Sequence, residues 1–141
     1  MGEVLFKDYS DDVKKKIQQL GVAWLHEASG EIKSQTQRNT RVAFIDGGAT
    51  KSSWRNVVDE RKLEAQIGSR MENAIWEEFG TGIYALNGDG RKDVPWTYRS
   101  EKDGKFYKTK GKKPSRAFHH AYQTMKPRVI RSAQDKFRSM K

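Results

Sequence analysis

The chain has 141 residues, contains no cysteine and carries a formal net charge of +10. The absence of thiols excludes disulfides, zinc–thiolate sites and cysteine nucleophiles, and no apolar run reaches the roughly 18–20 residues of a membrane span. The length favours one domain over residues 1–141, because domains commonly run about 100–150 residues. Charges near the start, where a signal peptide needs an apolar stretch, lead us to expect a soluble protein made in a cytoplasm.

The positive charge is concentrated in the last quarter of the chain. Residues 105–141 contain twelve Lys or Arg and one acid, a local charge of +11, whereas residues 1–104 sum to −1. Such asymmetry bears on partners and solubility and not on the fold.

A first helix is predicted at residues 11–35. Ser10 can cap its start, and Asp11 and Asp12 suit its first turn. Apolar residues then recur at steps of three and four, which places them on one face of a helix. They are Val13, Ile17, Leu20, Trp24, Ala28 and Ile32.

Residues 42–108 are predicted to form a small, mainly antiparallel sheet with a long loop. The region opens with an apolar island at 42–45 and the turn signal Asp46-Gly47-Gly48. Strands are predicted at 54–58 and at 63–68, where apolar and polar residues alternate. A helical turn that closes onto the sheet is expected at 73–79.

The second half of this region combines a loop with a hairpin. Residues 80–95 are rich in Gly and Asp, which predicts an exposed and mobile loop. Aromatic strands at 96–99 and 105–108 flank a turn containing Asp103-Gly104, a common hairpin signal.

A closing helix is predicted at 115–138, after a break at Gly111-Lys112-Lys113-Pro114. Its apolar residues again follow helical spacing. Pro127 lies inside it, and a proline within a helix costs about 3 kcal/mol or kinks the helix. We therefore expect a kink, or two helices that meet before Pro127. The whole layout predicts the α+β class.

A search for chemistry yields no catalytic residue, no metal ligand and no cofactor. His119 and His120 are adjacent and so point about 100° apart, whereas a metal pair on a helix needs i and i+4 spacing. Glu77 and Glu78 could perform acid–base chemistry only if their surroundings separated their pKa values. A solvated or salt-bridged pair is the simpler expectation, and we predict that the chain is not an enzyme.

Basic residues around the last break form a candidate surface for nucleic acid. Lysine and arginine neutralise phosphates, and aromatic rings can stack on bases. The candidate cations are Lys105, Lys108, Lys110, Lys112, Lys113 and Arg116. Aromatic residues at helical spacing nearby are better explained as core, so a small basic nucleic-acid-binding protein is the alternative interpretation. An acidic protein neighbour would suit the same surface.

Two short motifs stand out in this order of elements. One is Glu78-Phe79-Gly80-Thr81-Gly82, and the other is the Gly-x-x-Pro segment that runs from Gly111 through Pro114 to Phe118. Together they resemble the tail-completion family of long-tailed phages, whose members are minor tail components or neck proteins. Gly80 and Gly82 permit a chain reversal, and we expect Phe79 to be buried at that corner.

The resemblance implies a virion structural protein of the neck or upper tail, made in the host bacterial cytoplasm, without an active site or a cofactor. It implies a homo-oligomeric ring, with six copies as the expected number, close to packaged DNA and without a membrane. The implied partners are the tail terminator, the tail tube and the head-closure protein. Ile83, Tyr84 and Leu86 follow the first motif and are expected to become ordered on a partner.

Overall fold

The computed structural model describes residues 5–42 and 48–140, and it has a long helix at each end of the chain with two small hairpins between them. The predicted α+β class is confirmed. The elements in chain order are α1 (Ser10–Asn39), α2 (Ala49–Ser52), β1 (Arg55–Asp59), β2 (Glu64–Gly68), α3 (Glu72–Phe79), a 3-10 turn (Gly82–Tyr84), β3 (Trp96–Arg99), β4 (Phe106–Thr109) and α4 (Ala117–Arg138). Residues 43–47, which include most of the apolar island and of the Asp46-Gly47-Gly48 turn, lie outside the described residues.

The core is formed where α1 packs against α4. Ala28 and Ile32 of α1 meet Met125 and Val129 of α4, and all four are buried. Each pair is spaced by four residues, which places both members on one face of their helix. Ala28 and Ile32 belong to the apolar stripe that the sequence predicts for α1. The C-terminal part of that stripe is the part that is buried.

Polar contacts show that α1 and α4 run antiparallel. The indole nitrogen of Trp24 donates to the carbonyl oxygen of Val129 at 2.8 Å. The amide of Asn39, at the end of α1, donates to the carbonyl oxygen of Ala117, at the start of α4. The start of α4 is therefore fixed beside the end of α1.

Helix α1 is longer than predicted at its C-terminal end. It reaches Asn39 and not residue 35, because two threonines there are buried and bonded to the helix backbone. The Thr36 hydroxyl donates to the carbonyl oxygen of Ile32 at 2.8 Å, and the Thr40 hydroxyl donates to that of Thr36 at 2.7 Å. The indole nitrogen of Trp54 donates to the Thr40 hydroxyl at 3.0 Å, which ties the helix end to the start of β1.

The prediction of two helices meeting before Pro127 is wrong. Helix α4 is continuous from Ala117 to Arg138 with Pro127 inside it. Pro127 is exposed, whereas Met125 and Val129 on either side of it are buried against α1. Packing of the opposite face therefore holds the helix together at the position where the proline removes a backbone donor.

The prediction of one sheet is also wrong, because the four strands form two separate antiparallel pairs. In β1–β2, alternate residues such as Val58 and Ile67 are half-buried towards α1, and the Asn56 amide donates to the Ser29 hydroxyl at 2.9 Å. Among the described residues, the β3–β4 hairpin makes no extensive contact with another helix or strand. With no shared core to join them, the two hairpins stay apart.

The core makes a quantitative prediction. Replacing Ile32 with Ala should lower the free energy of unfolding by about 2–4 kcal/mol, because it deletes buried carbon atoms and leaves a cavity. The matched change Ile17→Ala, on the exposed part of the same helix, should cost less than about 1 kcal/mol. Urea unfolding followed by circular dichroism measures both, and equal losses would contradict this assignment of the core.

Candidate functional site

The first motif lies at the end of α3, and its burial is the reverse of the prediction. Phe79 is 41 % exposed, whereas Glu77 and Glu78 are buried at 3 % and 8 %. The expected burial of Phe79 is therefore wrong. The sequence leads us to expect a solvated or salt-bridged glutamate pair; the pair is not solvated, and Glu77 is salt-bridged to Lys112. The physical reason is that both carboxylates have partners inside the fold, and a paired carboxylate can be buried where an unpaired one cannot.

Glu78 binds the first turn of α4. Its two carboxylate oxygens accept the backbone N–H groups of Phe118 at 2.9 Å and of His119 at 3.0 Å. The first N–H groups of a helix have no partner within the helix, and Arg116 at the N-cap provides no side-chain cap. Glu78 supplies the missing acceptors and places negative charge at the positive end of the helix dipole.

Glu77 holds the segment that leads into α4. One of its carboxylate oxygens pairs with the Lys112 ammonium group, and the other lies 3.8 Å from the Arg41 guanidinium. The backbone carbonyl oxygen of Glu77 accepts the N–H of Ser115 at 2.7 Å and its hydroxyl at 3.1 Å. Ser115, which the sequence offers as a start for the helix, is thus bonded to α3.

The two motif segments bind each other directly, mostly through backbone groups. Thr81 N–H donates to the carbonyl oxygen of Lys112 at 2.9 Å, and Lys112 N–H donates to the Thr81 hydroxyl at 2.8 Å. Ile83 N–H donates to the carbonyl oxygen of Lys110 at 3.1 Å. We call residues 77–82 and 110–118 together the glutamate corner.

Close approach explains the glycines of the glutamate corner. Gly82 and Gly111 both have positive φ, at +60° and +127°. A Cβ on Gly82 would collide with the carbonyl oxygen of Lys110, and one on Gly111 would collide with that of Thr81. Only glycine combines this backbone conformation with such contacts.

Gly80, Pro114 and Phe118 complete the glutamate corner. Gly80 has φ +76°, and a Cβ there would lie 2.9 Å from Cδ of Pro114. The Phe118 ring stacks on Trp54, with 6.0 Å between the ring centroids. All eight motif residues named from the sequence therefore belong to this region, although Phe79 points an exposed ring outward.

The loop at 80–95 is more ordered in its first part than the sequence suggests. It begins with the 3-10 turn, and Leu86 N–H donates to the carbonyl oxygen of Phe79 at 2.8 Å. Ile83, Tyr84 and Leu86 remain exposed as expected. Backbone hydrogen bonds thus position three apolar side chains at the surface.

An open groove of about 660 Å³ lies beside the glutamate corner. We call it the corner groove, and its apolar lining comes from Ile75, Trp76, Phe79, Ala85 and Trp96. Ile75, Trp76 and Phe79 are all substantially exposed. An apolar surface of this kind is more typical of a contact with another macromolecule than of a solvated face.

The six predicted surface cations do not form one surface. Lys112 is bound to Glu77, and Arg116 is half-buried with a left-handed backbone at φ +55°. Lys105, Lys108, Lys110 and Lys113 are exposed. Lys112 and Arg116 belong to the glutamate corner. The four exposed lysines of this set lie on and beside the β3–β4 hairpin.

The shifted pKa values belong to groups at the surface. A hydrogen bond from the Tyr107 hydroxyl lowers the pKa of Asp103, and the same bond raises the pKa of Tyr107. The Lys136 ammonium group lowers the pKa of Glu27. Within the described residues, no group of three His, Asp or Glu side chains is arranged to hold a metal ion. None of the helices in residues 5–42 and 48–140 is both long and apolar enough to cross a membrane.

Comparison of the chain with protein-family models, with curated proteins and with solved structures finds no match. The phage resemblance therefore depends on the residues quoted for it.

Sequence reasoning missed the roles of Glu77 and Glu78, although one signal was present. The first turn of α4 contains no acid, so a helix of 22 residues begins without a cap of its own. A helix start in that condition needs an acceptor from elsewhere in the chain. The sequence does not say which acid provides it.

The cap at α4 can be tested by an isosteric change. Glu78→Gln should lower the free energy of unfolding by about 1–2 kcal/mol, because it removes one acceptor and the favourable charge at the helix start. Glu72→Gln, at an exposed position of the same helix, should cost less than about 0.5 kcal/mol. Chemical unfolding of the two variants measures the difference, and similar losses would refute the cap.

The glycine contact can be tested against a glycine of similar backbone conformation. Gly88 has φ +70° and nothing within 4 Å of an added Cβ, so Gly88→Ala should cost only the roughly 1–2 kcal/mol of a left-handed alanine. Gly82→Ala should lose about 1–3 kcal/mol more, because its Cβ also meets the Lys110 backbone. Thermal unfolding compares the two, and equal destabilisation would mean that the contact is not tight.

Proposed function

We propose that this chain is a virion structural protein of a tailed phage, which completes the tail or joins it to the head as one subunit of a ring. The observation that carries the proposal is the glutamate corner. The two motifs behind the resemblance are distant in the chain, yet Glu78 binds Phe118, 40 residues away, and Thr81 binds Lys112, 31 residues away. The motifs thus share one structural task, which makes their joint occurrence more informative than two separate short matches.

The surface suits a subunit that works by contact. Ile75, Trp76 and Phe79 present apolar side chains at the corner groove, and Ile83 and Leu86 extend this exposed apolar character along the loop. Aromatic residues at such a surface are frequent anchors of protein interfaces. In the proposal, the neighbouring subunit or the tail terminator, tail tube or head-closure protein covers them.

A ring requires two different contact surfaces on each copy. Head-to-tail contacts pair unlike patches, and they close into a ring when the rotation permits. Tyr9, Val13 and Ile17 form a second exposed apolar region at the start of α1, whereas the glutamate corner lies beside its end. A helix of 30 residues is roughly 45 Å long, so the two regions are well separated and suit opposite neighbours.

The decisive experiment is genetic. Deletion of the gene from its phage should leave filled heads and tails that fail to join, or tails of abnormal length, when lysates are viewed by electron microscopy. Normal infectious particles from the deletion would reject the proposal. So would mass photometry that finds only monomer, both alone and with the tail-terminator and tail-tube proteins.

The corner groove provides a point mutation with a matched control. Trp76→Asp should reduce assembly at least about tenfold, because it places a charge where the proposal requires a desolvated aromatic contact worth at least about 1.4 kcal/mol. Val57→Asp makes a similar apolar-to-acid change on the exposed face of β1 and should leave assembly unchanged. Mass photometry counts the assembled species, and circular dichroism checks that both variants fold. Equal assembly by the two variants would contradict the use of this groove.

A further inference from the structure

The β3–β4 hairpin is an exposed arm with different chemistry on its two faces. In the observed register, Thr97 pairs with Lys108 and Arg99 pairs with Phe106. Residues opposite one another in an antiparallel pair share a face, so these four lie on one side. Lys110 directly follows Thr109, the last residue of β4.

Three lysines of this arm have no carboxylate partner among the described residues. Residues 96–113 contain seven Lys or Arg and two acids, a net charge of +5. Across the described part of the chain, no carboxylate lies within ion-pair distance of Lys105, Lys108 or Lys110. One of the two acids, Asp103, accepts the Tyr107 hydroxyl instead. Lys105, Lys108 and Lys110 therefore carry uncompensated positive charge on β4 and at its two ends.

The aromatic residues on the opposite face are already engaged. Tyr98 and Tyr107 pair across the strands with ring centroids 6.0 Å apart, and the Arg91 guanidinium lies over the Trp96 ring at 5.2 Å. Single-stranded nucleic acid is typically held by free aromatic rings on which successive bases stack. Only Phe106, at 71 % exposed, offers such a ring on the basic face, which argues against a single-strand platform.

We propose that the β3–β4 arm binds the phosphate backbone of duplex DNA without sequence preference. Flexible lysines beside a polyanion bind by releasing its counterions, which requires no ordered base contacts. Lysine is depleted at the centres of protein–protein interfaces, so an acidic protein is the weaker match for a hairpin that exposes Lys108 in β4 and Lys105 and Lys110 on either side of that strand. This inference stands apart from the ring proposal, since it concerns another surface and another partner.

Fluorescence anisotropy with a short labelled DNA duplex tests the arm in the full-length chain. The variant Lys105→Gln/Lys108→Gln/Lys110→Gln should bind at least about tenfold more weakly at low salt, and the slope of log affinity against log salt should fall by about two to three. The control Lys14→Gln/Lys15→Gln/Lys16→Gln removes the same charge from an exposed stretch of α1. Its affinity should stay within about threefold of the wild-type value, if the contacts are local.

Four results would overturn the proposal. The first is failure of the wild-type chain to bind duplex DNA at about 50 mM salt. The second is an equal loss of affinity in both triple variants, which would mean that net charge alone determines binding. The third is tighter binding of single-stranded DNA or polyglutamate than of the duplex. The fourth is unchanged binding by the variant of Lys105, Lys108 and Lys110 (the β4 variant), which would mean that these lysines only protect an exposed strand edge from pairing. Mass photometry of the β4 variant reports ring assembly separately, so failure of either proposal is recognisable.

Discussion

The rest of the structure depends on the pairing of a buried carboxylate with a helix start. Glu78 supplies the only side-chain acceptors observed for the first turn of α4 within the described residues. A buried helix end without acceptors would cost free energy for each unpaired N–H group. Because α4 in turn packs along α1, the same carboxylate fixes where the central helix pair begins. A polar contact thus sets the register of an apolar core.

Burial of the glutamates also explains why the chain reverses direction tightly after α3. Glu77 draws Lys112 towards α3, and the backbones at Gly82 and Gly111 then come into direct contact. The glycines are therefore a consequence of the acid–base pairing as much as a cause of the turn. The contacts of the motif are structural, and they support its proposed use in a particle built from repeated contacts.

The cations around the second motif fall into two groups, one inside the fold and one exposed to solvent. Lys112 and Arg116 are withdrawn into the glutamate corner, whereas the lysines of β4 face solvent. The excess of positive charge in the last quarter is therefore not a uniform coating. Five of its cations lie at 105–113, at the end of the β3–β4 hairpin, and seven lie at 116–141, in the region of α4. The exposed lysines Lys105, Lys108 and Lys110 are not among the residues that line the corner groove, to which the hairpin contributes Trp96.

The sequence by itself determined the elements whose signals are local. Helical spacing identified α1 and α4, strand patterns identified the segments of β1 and β2, and turn chemistry identified the β3–β4 hairpin, because these patterns depend on neighbours in the chain. Tertiary structure decided the contacts between distant segments. It buried Glu78 and exposed Phe79, since burial depends on which groups another segment brings. It also kept α4 continuous through Pro127 and separated the hairpins, because packing on α1, which no local pattern encodes, reaches β1–β2 and not β3–β4.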